Sequence, residues 1–223
     1  MKKFLAVLLM LAMLLCGAAF AEDTAPALTK DVVVLFTSDV HCGIDQGWGY
    51  AGVANMRNSL QADNHVVLVD DGDAIQGETI GTLTKGSAII ELMNAVGYDI
   101  AIPGNHEFDY RSAGLANMLN AAVNSGETVP EIVVCNVDWD AMEKDGLSDG
   151  QKQIREAFEA YGVKDYVMVQ KGDVKIAVVG VFGKDALECA PTCELKFKDP
   201  VEAVKQTVEE IRKNEKVDMI ACV

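Results

Sequence analysis

One pattern occurs three times in the sequence and constrains the fold more than any other feature. In each case an apolar run ends in polar residues, and a segment with helical spacing follows. The runs cover 31–39, 65–73 and 98–109, and the helical segments cover 50–62, 87–97 and 112–123. Apolar runs of this kind are typical of strands that are buried on both faces. Strands that alternate with helices predict an α/β fold with right-handed crossovers.

The second half of the chain is less regular and predicts further strands with one clear helix. A short strand is predicted over 131–137, two strands joined by a turn over 166–183, and a last strand over 216–223. Asp199 and Pro200 are typical of a helix N-cap and of the first helical position. The apolar face of this helix is predicted to contain Val201, Val204, Val208 and Ile211.

Two local predictions concern a helix start and an acidic segment. Ser87 is predicted to cap the helix that ends at Gly97. The carboxylates of 138–150 lack the regular alternation of a calcium-binding loop, so this segment is predicted to be a solvated loop.

The polar residues that follow the three apolar runs are the candidates for chemistry. Asp39 and His41 follow the first run, Asp73 follows the second, and 105–109 follows the third. In open α/β sheets, reactive groups gather just beyond the carboxyl ends of the strands. Three separate loops are therefore expected to converge on one site.

Several of these residues are suited to binding divalent metal ions. Asp39 and His41 are two positions apart, so their side chains emerge from the same side of an extended segment and could bind one ion. Asp73 follows Gly72, which permits a tight turn, and its carboxylate could bridge two ions. Asn105 could give a neutral oxygen to the second ion. Paired ions of this type bind a phosphoryl group and lower the pKa of water.

His106 and Asp109 are the candidates for proton transfer beside such ions. A histidine that is oriented by a carboxylate can stabilise a transition state or give a proton to a leaving oxygen. Taken alone, 104–109 could also be an ordinary polar loop, but its placement after a buried strand favours the catalytic interpretation. Glu107 is expected to hold the loop rather than to bind a metal, and Phe108 is expected to attach the loop to the core.

The first 21 residues predict export. Two lysines, an apolar run and the small-residue pattern "AFA" have the layout of a secretory signal peptide over 1–21, and the apolar run is short for a stable membrane span. A lipoprotein anchored through Cys16 is the alternative. Residues 22–30 would form a short linker. The protein would then act in the periplasm, at the cell surface or outside the cell.

The mature chain is strongly acidic. The whole sequence has a formal charge of −15, and removal of 1–21 takes away Lys2 and Lys3 and no acids, which leaves −17. Such a surface opposes binding of nucleic-acid polymers, because their phosphates would be repelled. An anionic substrate would need positive charge from another source, and metal ions are the obvious candidate.

Cysteines offer one possible cross-link in an exported chain. The spacing of Cys189 and Cys193 is compatible with a disulfide that closes a small loop, and two free thiols are the alternative. Cys135 and Cys222 lie in apolar runs and are expected to be core residues.

Three segments carry a resemblance to a known family. "FTSDVHCG", "DDGDAIQGE" and "PGNHEFDY" resemble the first three signature blocks of the calcineurin-like metallophosphoesterases, and "GNHEFD" is most similar to the secreted branch of 5′-nucleotidases and 2′,3′-cyclic-nucleotide phosphodiesterases. The resemblance covers about 31–223 and implies an αββα sandwich with two divalent metal ions (Mn, Zn, Fe or Mg). It implies Asp39 and His41 on one ion, Asp73 bridging both, Asn105 on the second, and a catalytic dyad of His106 and Asp109.

The family's paired-metal site needs three more histidines, from a "His-x-Gly" and a "Gly-His-x-His" block. The sequence has three histidines in all, and His41 and His106 are already assigned. His65 begins the second apolar run, where a surface or strand-edge role is expected. We therefore expect 31–223 to be the N-terminal part of a truncated catalytic domain, without the family's C-terminal nucleotide-binding domain and with little activity alone.

The resemblance implies a 5′-nucleotidase, which releases phosphate from nucleotides. The alternatives on the same scaffold are a 2′,3′-cyclic-nucleotide phosphodiesterase, a UDP-sugar hydrolase or a related ester hydrolase. A further alternative is an exported binding module without activity. The six candidate site positions are all intact, which favours an enzyme.

Overall fold

The computed structural model describes residues 30–126 and 130–223. The predicted signal peptide over 1–21, its lipoprotein alternative at Cys16 and nearly all of the predicted linker over 22–30 lie outside the described residues. In the part of the chain that the structure describes, no helix is both long enough and apolar enough to cross a membrane.

The first sheet has four parallel strands, which lie side by side in chain order. These strands are β1 (Asp31–Thr37), β2 (Asn64–Asp70), β3 (Ile100–Ala101) and β4 (Glu131–Ile132). Each of the three predicted units of strand, loop and helix is present, and the α/β prediction is confirmed. Because the strands are parallel, their carboxyl ends share one edge of the sheet, where the three polar loops begin.

β3 and β4 are shorter than the apolar runs that predicted them. β3 ends early because Pro103, two residues after its last position, has no N–H to extend the ladder. The strand predicted over 131–137 is regular only at its first two residues. Further on, Cys135 N donates to Gly180 O at 2.8 Å, so this part of the chain pairs with a segment from the second half of the chain instead.

Helices cover one face of the first sheet. Among the described residues, they are α1 (Gly49–Gln61), α2 (Thr79–Thr84), α3 (Ser87–Val96), α4 (Arg111–Ser125), α5 (Trp139–Asp145) and α6 (Asp149–Tyr161). A short 3₁₀ helix, His106–Phe108, lies between β3 and α4. The largest apolar cluster joins Leu68 of β2 to Met93, Leu119 and Ile154 of the helices.

The second sheet covers the other face of the first. It consists of β5 (Tyr166–Lys171), β6 (Val174–Val179) and β7 (Met219–Cys222). β6 is central, antiparallel to β5 and parallel to β7. Between the sheets lies an apolar cluster that contains Val67, Val69, Ile176 and Val178. Side chains alternate along β2, so Val67 and Val69 face the second sheet while Leu68 faces the helices.

The outer face of the second sheet is covered by α8 (Pro200–Asn214), which follows the short α7 (Lys184–Glu188). Ile211 of α8 belongs to the same apolar cluster as Ala177 and Val179 of β6. Helices, two sheets and a further helix therefore give the αββα order that the family resemblance implies.

The start of α8 agrees with the sequence prediction, but its buried face does not. Asp199 Oδ1 accepts hydrogen bonds from the backbone N of Val201 and of Glu202, and Pro200 is the first helical residue. Val201, however, is 58% exposed, so its predicted place in the apolar face is wrong. The buried residues are Ala203, Thr207 and Ile211. Small side chains at two of these positions let the helix lie close to the sheet, and Val204 and Val208 flank the contact half-buried.

Two other local predictions are corrected. The N-cap of α3 is Gly86 rather than Ser87, whose hydroxyl donates to Thr84 O at 3.1 Å instead. The segment 138–150 is not a loop, because it contains α5 and the start of α6. Asp138 makes this possible, since its carboxylate accepts a hydrogen bond from Ala141 N and caps α5.

Ile211→Ala tests the observed face of α8. The side chain is 0% exposed, so its loss should lower the free energy of unfolding by about 2–5 kcal/mol. Val201→Ala is the matched control on the same helix and should change it by less than about 0.5 kcal/mol. Urea unfolding measures both values, and equal losses would contradict the assigned face.

Candidate active site

The loops after β1 and β2 are joined through their backbones. Asp39 N donates to Gly72 O at 3.1 Å, and His41 N donates to Asp73 O at 2.9 Å. These bonds fix the first two candidate ligands relative to the third, although the residues lie in different loops.

The carboxylate of Glu107 joins the second loop to the third. It accepts four hydrogen bonds from backbone N–H groups, those of Asp73, Ala74, Ile75 and Gly104, at 2.6 to 3.2 Å. Only 6% of Glu107 is exposed. Burial raises the pKa of Glu107, and the backbone N–H groups oppose this effect because they stabilise the charged form. Glu107 therefore holds the loops together, as the sequence predicts.

Two glycines let the second and third loops approach this closely. Gly72 has a φ of +96°, and a Cβ at this position would lie 2.7 Å from the backbone N of Gly104. A Cβ on Gly104 would in turn overlap with Asp73 Oδ1. A side chain at either position would therefore push the loops apart.

Three candidate residues bring potential metal-binding atoms together. One ligand atom each from His41, Asp73 and His106 lies within 4.8 Å of the other two. Asp39 lies beside this group, with its Oδ1 3.9 Å from His41 Nε2. Asn105 directly precedes His106 in the third loop. The loops thus converge as expected, and residues from all three contribute to one cluster.

The donor chemistry of the cluster fits a divalent metal ion. His41 Nδ1 lies 3.0 Å from Gln76 O. Because a carbonyl oxygen only accepts, Nδ1 carries the proton, and Nε2 keeps the lone pair that a metal needs. Asp73 Oδ1 accepts a hydrogen bond from His106 N at 2.8 Å, which fixes this carboxylate and leaves Oδ2 available. Imidazole and carboxylate donors are typical ligands of Zn, Mn and Fe.

His106 and Asp109 form a hydrogen-bonded pair. His106 Nδ1 lies 2.9 Å from Asp109 Oδ2. This hydrogen bond raises the pKa of His106 above its ordinary value, partial burial opposes it, and the negative charges of Asp109 and Asp73 add to the rise. The rings of His41 and His106 meet edge to face, with centroids 4.8 Å apart. His106 is therefore close enough to the metal-binding atoms for either proton transfer or ligation.

The backbone at the site is strained. Asp39, His41, Cys42 and Asp73 all have positive φ, between +48° and +61°. Such a conformation costs of order 1–3 kcal/mol for each non-glycine residue and persists only where the surroundings determine it. The backbone hydrogen bonds between the first two loops and the contacts of Glu107 supply that constraint.

Behind the site lies a buried polar network that the sequence analysis missed. Asp70 is 1% exposed, and its Oδ2 accepts a hydrogen bond from Thr37 Oγ1 at 2.6 Å. Because Thr37 donates to Asp70, the Tyr98 hydroxyl, 2.9 Å away, donates to Thr37. Burial raises the pKa of Asp70 to about 8. The one signal in the sequence is that polar Thr37 and Asp70 both end apolar runs, at positions that pair in the sheet.

His65 lies away from the cluster, in keeping with its expected strand-edge role. It is the second residue of β2, at the opposite end from the loop that carries Asp73, and its Nε2 is 3.1 Å from Asp173 Oδ1. Cys42 is next to His41 but is buried, and burial raises the pKa of its thiol to about 11. Cys42 Sγ donates to Ala74 O at 3.4 Å, so the thiol is bonded to the backbone of the second loop.

The other cysteines carry no cross-link among the described residues. Cys189 is exposed and Cys193 half-buried, and both are free thiols, which is the alternative to the suggested disulfide. Cys135 is a core residue as predicted. Cys222 is exposed, so its predicted core position is wrong; it ends β7, at the edge of the second sheet.

The fold and the site together define an αββα protein with a candidate metal-binding centre at the carboxyl edge of its parallel sheet. The family model of the calcineurin-like phosphoesterases matches residues 32–177. The chain therefore belongs to this family of phosphoric ester hydrolases, which use divalent metals.

Two relatives illustrate the similarity in sequence. The chain is 29% identical over 219 residues to the trifunctional nucleotide phosphoesterase protein YfkN of Bacillus subtilis. The aligned region covers 90% of this chain and 15% of that protein. The chain is also 27% identical over 211 residues to the snake venom 5′-nucleotidase of Gloydius brevicauda. This aligned region covers 87% of this chain and 33% of the venom protein. The chain thus spans a third or less of the length of these relatives.

Solved structures support the same fold. The 5′-nucleotidase precursor of Thermus thermophilus superposes with a TM-score of 0.66 at 22% identity, over 85% of this chain and 36% of that one. The NAD nucleotidase of Haemophilus influenzae superposes with a TM-score of 0.62 at 21% identity, over 85% of this chain and 33% of that one. At these identities the likeness shows the fold alone.

Glu107→Gln tests the link between the second and third loops. The amide keeps the size of the side chain, but it removes the charge and places an NH₂ group against backbone N–H donors. We expect the free energy of unfolding to fall by about 2–4 kcal/mol, because buried donors lose their acceptor. Glu91→Gln, an exposed acid on α3, is the control and should have little effect in the same urea titration. A similar small loss for both variants would show that Glu107 does not hold the loops.

Asp109→Asn tests the cause of the raised pKa of His106. Without the carboxylate, the pKa of His106 should fall towards the ordinary value of about 6.5, as NMR titration of the metal-free chain would show. The pair stabilises the fold below the ordinary pKa, and this contribution is lost as pH rises through the raised pKa of His106. The loss of folding free energy in the variant should therefore be largest at acidic pH. Asp173→Asn, next to His65, should leave the titration of His106 unchanged.

Proposed function

We propose that the protein is a metal-dependent 5′-nucleotidase, which hydrolyses nucleoside monophosphates to nucleosides and phosphate. The proposal depends on the group of His41, Asp73 and His106, together with the His106–Asp109 pair, at the carboxyl edge of the sheet. The names of both relatives support the substrate class, because each describes an enzyme that acts on nucleotides.

The proposal includes two divalent ions. Asp39 and His41 would hold the first, Asp73 would bridge both, and Asn105 would hold the second. Nitrogen and oxygen donors of this kind suit Mn²⁺, Zn²⁺, Fe and Mg²⁺ to differing degrees. When bound, the ions supply positive charge for the phosphoryl group and lower the pKa of water at the site. An acidic chain with a formal charge of −15 needs such a source to hold an anionic substrate.

His106 and Asp109 handle the proton in this proposal. Asp109 accepts the hydrogen bond from His106 Nδ1, so Nε2 is the nitrogen that remains to give a proton to the leaving oxygen. The raised pKa of His106 keeps a larger fraction of the ring protonated near neutral pH, as a general acid requires. Glu107 acts through the backbone, because it fixes Asp73 and the start of the third loop.

A broader nucleotide phosphoesterase is the second candidate. The Bacillus relative is named as trifunctional, and the same groups could cleave 2′,3′-cyclic nucleotides or UDP-sugars. Product analysis with AMP, 2′,3′-cyclic AMP and UDP-glucose separates these activities. Binding of the substrates without any product would instead support an exported binding module.

The proposal concerns the protein at its natural length. The chain spans 33% of the venom relative, and the three further histidines implied by the family resemblance stay a prediction. The truncated catalytic domain over 31–223 and the export signal over 1–21 are likewise proposals. Turnover of AMP by residues 1–223 alone, with added Mn²⁺, would contradict the expected lack of activity.

His106→Ala tests the catalytic pair in the natural gene product. Phosphate release from AMP in the presence of Mn²⁺ should fall by about 100-fold or more, because the leaving oxygen loses its proton donor. His65→Ala removes the histidine at the other end of β2 and should leave turnover within about twofold. Nearly unchanged phosphate release by the His106 variant would rule out the assigned role.

A further inference from the structure

Backbone strain singles out one residue outside the metal-site loops. Among the described residues, the non-glycine positions with positive φ are Asp39, His41, Cys42, Asp73, Lys85 and Arg111. The first four belong to the site. Lys85 ends α2, and a left-handed residue is usual at the end of a helix. Arg111, with a φ of +62°, begins α4, where no capping rule requires this conformation.

The segment around Arg111 is fixed on both sides. Phe108 and Ser112 are each 0% exposed, and Thr192 Oγ1 donates to Phe108 O at 2.6 Å. These anchors hold Arg111 in its strained conformation. Glycine would adopt the same φ without the steric penalty of a side chain. The backbone therefore gives no reason for an arginine at this position, and a role of its side chain would.

The Arg111 guanidinium is available to an external anion. The residue is exposed, and its side chain makes no ion pair or hydrogen bond with any residue of 30–126 or 130–223. It does not pair even with Asp109, two positions earlier, which binds His106 instead. Arg111 thus places an unpaired positive charge beside an acidic site, in a chain with a formal charge of −15.

Arg111 lies close along the backbone to the His106–Asp109 pair. Two peptide units separate the Cα atoms of Arg111 and Asp109, so these atoms are at most about 7 Å apart. Asp109 Oδ2 in turn lies 2.9 Å from His106 Nδ1. Arg111 is therefore a near neighbour of the His106–Asp109 pair along the chain.

We propose that the Arg111 guanidinium binds the phosphate group of the substrate at the outer edge of the site. A planar guanidinium donates two parallel hydrogen bonds to phosphate oxygens, and it keeps its charge at every physiological pH. The inference rests on the proposed function, since it takes a phosphate monoester as the ligand. It adds a charge contact from the chain itself to those of the metal ions.

The test compares Arg111→Gly with Lys85→Gly in the 223-residue chain. Each variant removes one positive charge, and each replaces a residue with positive φ by glycine. The two variants are therefore matched in charge and in relief of backbone strain. Calorimetric titration in the presence of Mn²⁺ gives the Kd of AMP, of inorganic phosphate and of adenosine, which has no phosphate. Thermal melting reports on the fold.

Arg111→Gly should raise the Kd of AMP and of phosphate by about 10-fold or more, because hydrogen bonds to a charged group are lost. The Kd of adenosine should not change, and neither variant should melt at a lower temperature. Lys85→Gly should leave all three Kd values unchanged, and Arg111→Lys should restore part of the phosphate affinity. Equal effects of the two glycine variants, an unchanged Kd in Arg111→Gly, or no binding of AMP and phosphate by the unmodified chain would each overturn the proposal.

Turnover of AMP by the natural gene product separates this inference from the proposed function. Phosphate binding through Arg111 without hydrolysis would remove the proposed function and leave the inference intact. Hydrolysis of AMP with an unchanged KM in Arg111→Gly would support the proposed function and rule out the inference about Arg111.

Discussion

The site depends on one buried carboxylate that accepts four backbone hydrogen bonds. Glu107 lies in the third loop, and three of its donors lie in the second loop. The first loop is bonded to the second through Asp39 and His41. Three segments that are distant in sequence therefore move as one unit, and the strained residues of the site keep their conformations because this unit determines them. Each candidate metal-binding side chain is thus placed by contacts that other residues make.

The packing of the two sheets holds the strands from which these loops emerge. Apolar clusters on both faces hold the parallel strands in place, so their carboxyl ends present the loops at one edge. The second sheet also contributes directly, because the ring of Phe108 in the third loop packs edge to face on Phe182, which follows β6, with centroids 5.6 Å apart. Phe182 N and O are bonded to the buried side chain of Asn136, so the contact is itself fixed. The position of the His106–Asp109 pair therefore depends on both halves of the sandwich.

The sequence predicts features that local chemistry decides and fails where tertiary contacts decide. Apolar runs and helical spacing suffice for the α/β order and for the convergence of the loops, and Asp199 caps its helix by a local bond. The buried face of α8 is different, because the distance between helix and sheet selects Ala203 over the larger Val201. The hydrogen bond of Asp70 could not be derived from the end of its apolar run alone, since its hydroxyl partner comes from a neighbouring strand.

The alternation of side chains along β2 limits which mutations this strand can accept during evolution. Val67 and Val69 belong to one core and Leu68 to the other, and the same strand leads into the loop of Asp73. Insertion or deletion of a single codon within β2 would exchange the two faces and shift the loop by one position. Substitutions that keep the length can be absorbed by repacking, whereas a change in length would damage both cores and the site together. We therefore expect variation in this strand to arise by substitution and insertions to be confined to the surface loops.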